Sequence, residues 1–200
     1  MKKVIAILMV AVMLFSFAAC NKDKTDGDNN QEINQIDKEE LKQGWQEGVL
    51  TFANGASVTL PCSVKEIMNV SGLSIPILTQ NTATTLAAGL TKSFNLVDSD
   101  TTIAIKCQND GKEDINLEDA MVVGYSFNRT KAGNSKVLFA NTLSVNAKRT
   151  DVEEVLGVDE KAEQKGFSKY QGQNSKGKKV EMRVNYDSNN LVNSVAFEIK

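Results

Sequence analysis

From residue 44 onward, apolar and polar residues alternate along most of the chain, the period of strands with one face buried. In "TTIAIKCQN", Ile103, Ile105 and Cys107 share one face while Thr102, Ala104 and Lys106 share the other. The same alternation marks "LTKSFNLV", "MVVGYSFN", "FSKYQGQ", "KKVEMRVNYD" and "LVNSVAFEI" as strands, with Val195, Phe197 and Ile199 on one face of the last. Tyr125 and Phe127, with Val123 and Met121 in the same row, are predicted to face the core. Turns fall at Asp98-Ser99-Asp100, Asn109-Asp110-Gly111-Lys112 and Ser188-Asn189-Asn190. In "GVLTFANGASVTL", Asn54-Gly55 lies between two alternating runs, a strong hairpin signal because both residues tolerate left-handed backbone.

Two short stretches break the period of two. In "PCSVKEIMNVSG", Ser63 and Glu66 form a capping box, Val64, Ile67 and Met68 recur at helical spacing, and Gly72 ends the run. A strand predicted at "TLSVNAK" leads to Thr150-Asp151-Val152-Glu153, again a capping box, with Val152, Val155 and Leu156 apolar and Gly157 at the stop. Helices this short hold only by packing on a sheet. Residues 74–89 read as an ordered loop or broken strand, and "RTKAGNS" as a polar loop. The expectation is an α+β fold, with short capped helices packed on antiparallel sheet in two tandem helix-plus-meander units, 45–135 and 136–200.

The N-terminus differs. Met1-Lys2-Lys3 precedes an uncharged apolar run from Val4 to Ala19, the plan of a secretory signal peptide covering 1–19. The run is shorter than the 20 or so apolar residues a spanning helix needs. It ends in Phe17-Ala18-Ala19-Cys20, which resembles the lipobox of bacterial lipoproteins. That resemblance implies lipidation of Cys20, cleavage just before it, and anchoring to the extracytoplasmic face of the bacterial cell membrane. Residues 20–44 then form a polar linker with too little apolar surface to fold alone.

The segment "TDVEEVLG … FSKYQGQ … KKVEMRVNYDSNNLVNSVAFEI", with its capped helix ending in Leu-Gly and its Asp-x-x-x-x-Val hairpin, resembles the β-lactamase-inhibitor-like fold. That fold also occurs in small outer-membrane-assembly lipoproteins and in Firmicutes lipoproteins, which "VTLPCSVKEIM" in the first half also resembles. The resemblance implies non-covalent binding of a protein or cell-envelope partner through a sheet face or its loops. It carries over no inhibitory contact residues.

Charge and chemistry narrow the function. The chain carries 23 basic and 25 acidic residues, and losing Lys2 and Lys3 with the leader moves the net charge from −2 to −4. Without a basic stripe, nucleic acid is not expected as a partner. The chain contains no histidine, which removes Ser-His-Asp and Cys-His catalysis and the commonest metal ligand. Ser175-x-x-Lys178 lies in a Gly- and Lys-rich turn, and the Asp98/Asp100 and Asp110/Glu113/Asp114 clusters sit where turns favour Asp. No catalytic residue, metal site or cofactor is expected. Beyond Cys20, Cys62 and Cys107 could be bridged, as an even pair in an exported protein often is, or remain buried free thiols. Aromatic residues on strands are the better lead for binding, with Trp45, Tyr170 and Tyr186 as the candidate surface. The expected function is a lipid-anchored, non-enzymatic binding or accessory module; the alternative is a carboxylate-dependent cell-envelope hydrolase.

Overall fold

The computed structural model describes residues 44–76, 84–159 and 166–200. The leader, Cys20 and the linker up to residue 43 lie outside the described residues. In chain order, β1 (Leu50–Thr51) and β2 (Ser57–Val58) form the Asn54-Gly55 hairpin, with Gly55 at φ 80°. Next come β3 (Cys62–Ser63), α1 (Val64–Ser71) and β4 (Thr85–Leu86). Then follow β5 (Thr91–Val97), β6 (Thr102–Gln108), β7 (Ile115–Asn116) and β8 (Met121–Asn128). The second half contributes β9 (Leu138–Phe139), β10 (Leu143–Ser144) and α2 (Arg149–Leu156). It closes with β11 (Phe167–Gln173), β12 (Lys179–Tyr186) and β13 (Val192–Ile199).

The long strands make one antiparallel sheet in the order β11-β12-β13-β8-β6-β5, with β3 also pairing with β8. A small sheet has the order β10-β9-β1-β2, and β4 pairs with β7. The fold is therefore α+β and mostly antiparallel. Both larger sheets draw strands from both halves, and the described residues belong to one compact unit.

The helices follow their caps. The Ser63 hydroxyl accepts the Glu66 N–H at 3.1 Å, and Gly72, at φ 76°, closes α1 by donating to Met68. Asn54 at the hairpin tip donates to the Val70 carbonyl at 2.8 Å, tying β1–β2 to the end of α1. The second cap differs from expectation. The α2 N-cap is Lys148, whose N–H donates to the Asp151 carboxylate at 3.1 Å, so Asp151 rather than Glu153 reaches back. The strand predicted at "TLSVNAK" shrinks to β10, because Asn146 at φ 80° turns the chain away. The "RTKAGNS" loop contains buried Asn134, whose side chain bonds the backbone of Thr102 and Asn128 and fixes the loop to the sheet.

A short hairpin precedes each helix (β1–β2 before α1, β9–β10 before α2), and three long antiparallel strands follow each (β5, β6 and β8; β11, β12 and β13). Ser63, the α1 cap, pairs with Met121 at the start of β8, and Lys148, the α2 cap, bridges to Leu191 just before β13. One residue bulges from each third strand: Val123 of β8 opposite Lys106 and Cys107, and Asn193 of β13 opposite Asn185 and Tyr186. The meanders join third strand to third strand, with Tyr125 opposite Phe197 and Phe127 opposite Val195. The small sheet joins first strand to first strand.

The bulge at Val123 overturns one sequence expectation. An extra residue flips the faces of those before it. Met121 is therefore 42% exposed, while Val122 is buried beside Tyr125 and Phe127. All the buried apolar side chains of the large sheet but Val123 fall, with the small sheet and both helices, in one cluster.

Candidate functional site

Of the three proposed aromatic contacts, Trp45 and Tyr170 are core residues and Tyr186 packs against the core. Trp45 and Tyr170 are 5% and 8% exposed, with ring centroids 6.2 Å apart, and the Tyr170 hydroxyl donates to the Gly157 carbonyl at 3.1 Å. Tyr186 is half-buried against the same core and shares a 3.0 Å hydrogen bond with Ser168, with Arg149 over its ring. These rings supply the large apolar area a sheet of short strands needs, and each hydroxyl finds a partner at the core margin. They do not form an exposed binding surface.

Of the two alternatives for Cys62 and Cys107, the structure has the unbridged one. Cys62 and Cys107 are free, buried thiols. Both are Cα partners of Val122, one on either side of β8. Two strand spacings separate them, about 10 Å, beyond the roughly 7 Å a disulfide can span. Burial pushes the Cys62 thiol up to about 12, helped by the nearby Glu66 charge. Burial also raises Cys107, against a smaller opposing effect of Lys92. Neither sulfur is set up as a nucleophile.

The acidic clusters serve turns. Asp98 accepts the N–H groups of Asp100 and Thr101 at 2.7 and 2.6 Å; burial raises its carboxyl, but these bonds outweigh it and hold it below the usual range. Asp114 accepts the Ala88 N–H, and Asp110 accepts from Gln108. Among the described residues no group of carboxylates or cysteines could hold a metal ion. Ser175 is exposed and donates through its N–H and hydroxyl to Glu47.

What remains is the face of the large sheet opposite the core. One row runs across all six strands as Asn95, Ala104, Ser126, Ala196, Arg183 and Lys169. The next runs as Ser93, Lys106, Gly124, Glu198, Glu181 and Gln171. The middle of this face carries small side chains: Ala104, Ser126, Ala196 and Ser194. They leave two shallow depressions of about 300 and 460 Å³ that share Ala104, Ser126 and Ala196.

Charged side chains wall this trough. Lys106 pairs with Glu198, and Glu181 with Lys169 and Lys200 at 3.0 and 2.6 Å. The Lys200 hydrogen bond, with help from Lys169 and Gln171, holds the Glu181 carboxyl down at about 2. Arg183 lies over the Phe167 ring at 3.8 Å, which fixes its guanidinium above the sheet. Glu181 and Glu198 are cross-strand neighbours. Like charges there repel, and the three lysines offset that.

The sequence did mark these residues. Ser126 alternates with Tyr125 and Phe127, and Ala196 with Val195 and Phe197. Alternation assigns them to the outer face, but only the strand order brings the two short side chains side by side. No known family model, curated protein or solved structure matches this chain.

Proposed function

We propose that the chain is a lipid-anchored, extracytoplasmic binding module, non-enzymatic, with the outer face of its large sheet as the contact surface. The observation that carries the reading is the trough of Ala104, Ser126 and Ala196 between charged walls, open to solvent on the outer face of the large sheet. A partner's loop can lay apolar side chains over the small residues and meet Arg183, Lys106 and Glu198 at the margins, the plan of a desolvated centre within a polar rim. The leader and the lipobox-like Phe17-Ala18-Ala19-Cys20 support the membrane location.

The recurrence of hairpin, helix, meander and third-strand bulge in each half supports an origin by duplication of one unit. It is also in keeping with the β-lactamase-inhibitor-like pattern. The carboxylate-hydrolase reading has less support. Glu181 and Glu198 sit side by side on one surface, not across a cleft, and a carboxyl held at about 2 cannot donate a proton near neutrality.

The test is capture from envelope extract with the full chain against an Ala196→Arg variant. The reading predicts a protein or glycan recovered by the wild type and lost about tenfold or more with the variant. No recovery, together with turnover in a glycan-hydrolase screen, contradicts it.

A further inference from the structure

The two outer strands of the large sheet hold equivalent places, β5 opening the first meander and β11 the second, but their free edges are treated differently. On β11 the outward Lys169 N–H donates to the Asp159 carboxylate at 3.1 Å, which blunts that edge. On β5 the parity is set by two contacts. Val97 exchanges both backbone bonds with Ser74, at 2.9 and 3.0 Å, on the outer side. Asn109 donates to Leu90 on the inner side at 2.9 Å. The N–H and C=O groups of Thr91, Ser93 and Asn95 therefore point outward, and among the described residues nothing bonds them. The strand has no proline and no bulge, and its one charge, Lys92, lies on the core side with Phe94. Such an edge is a template for another strand.

We propose that this edge pairs with β5 of a second copy of the chain, antiparallel and centred on Ser93, to continue one sheet through both molecules. The register follows from the groups available. Val97 is already occupied by Ser74, so only centring on Ser93 uses all three outward residues: Thr91 opposite Asn95 of the second copy, Ser93 opposite Ser93, and Asn95 opposite Thr91. The same register sets Lys92 opposite Phe94 of the second copy in a non-hydrogen-bonded pair, where side chains approach most closely. The lysines thus avoid each other and each meets a ring. The sheet is already built this way internally, since β8 and β13 pair antiparallel with Tyr125 and Phe127 opposite Phe197 and Val195. This pairing leaves the trough at Ser126 and Ala196 open and does not depend on the function proposed for it.

Sedimentation velocity of the full chain in non-ionic detergent tests the proposal, with Ser93→Pro as the comparison. The Ser93 N–H points away from β6, so proline removes an outward donor without breaking the ladder; circular dichroism checks that the fold is kept. Both chains carry the same leader, so association through it cancels in the comparison. The wild type is expected to reach the mass of two chains at micromolar concentration, with the dissociation constant raised about tenfold or more in Ser93→Pro. In a second measurement, oxidation of Ser93→Cys is expected to give a 93–93 linked peptide, and Asn116→Cys, on exposed β7, none. A wild type that stays monomeric overturns the proposal, whether the edge is then filled by another protein or by nothing. A dimer that survives Ser93→Pro, or linkage equally fast from residue 116, also overturns it.

Discussion

Tyr125 of β8 and Phe197 of β13 face each other across the junction of the two halves, their rings stacked with centroids 5.5 Å apart and planes 20° apart. Phe127 extends the stack to Tyr125 on one side and to Phe139 of the small sheet on the other. This aromatic column fastens the two meanders and the small sheet into one core. Phe197→Ala is expected to cost about 3–5 kcal/mol by urea denaturation. Tyr125→Phe is expected to be neutral or stabilising by up to about 1 kcal/mol, because the Tyr125 hydroxyl is buried with no hydrogen-bond partner among the described residues.

Gly124 makes the same junction possible from the backbone side. A Cβ there would lie 2.7 Å from the Phe197 carbonyl oxygen, so β8 and β13 would have to separate. Gly124→Ala should destabilise by more than about 2 kcal/mol, well beyond the ordinary glycine-to-alanine effect. A melting temperature within a degree or two of wild type would refute the close approach.

The positions of Cys62 and Cys107 on either side of Val122 predict their chemistry. In the folded chain both should resist maleimide at pH 8, since burial holds each thiol protonated. Unfolding without reductant should expose both as free thiols. A mass-mapped Cys62–Cys107 linkage would contradict the pairing of β3 and β6 to opposite sides of β8.

Much of this was legible in the chain. The strands at 91–97, 102–108, 121–128, 167–173, 179–186 and 192–199 follow apolar alternation closely, and α1 follows its Ser63 cap and Gly72 stop. Three things were not legible. Val123 adds one residue to β8, and a bulge leaves no mark on hydrophobicity because valine suits either face. The aromatic side chains of Trp45 and Tyr170 carry the same letters in a core as on a surface, and only strand order buries them. The trough was hidden for a related reason: Ser126 and Ala196 become neighbours only when the third strands of the two meanders pair.

Glu181 gives the fold an acid limit. Its carboxyl, held mainly by the Lys200 hydrogen bond, sits at about 2, below its ordinary value of 4.5. A lowered carboxylate contributes stability above its unfolded pKa and loses it as pH falls through the folded value. Melting temperature should therefore fall between about pH 4.5 and pH 2, and Glu181→Gln should flatten that decline. Because the pair is partly exposed, the effect should be small and weaken with added salt.

The central claim is that the outer sheet face is what this molecule presents to a partner. A photo-crosslinking amino acid at Ser126, in the trough, tests it most directly in intact cells against the same group at Lys112, in the exposed β6–β7 turn. The account predicts a discrete covalent adduct from position 126 that Ala196→Arg abolishes, with none from position 112. Adducts from 112 and not from 126, or adducts at 126 that Ala196→Arg leaves unchanged, would contradict it.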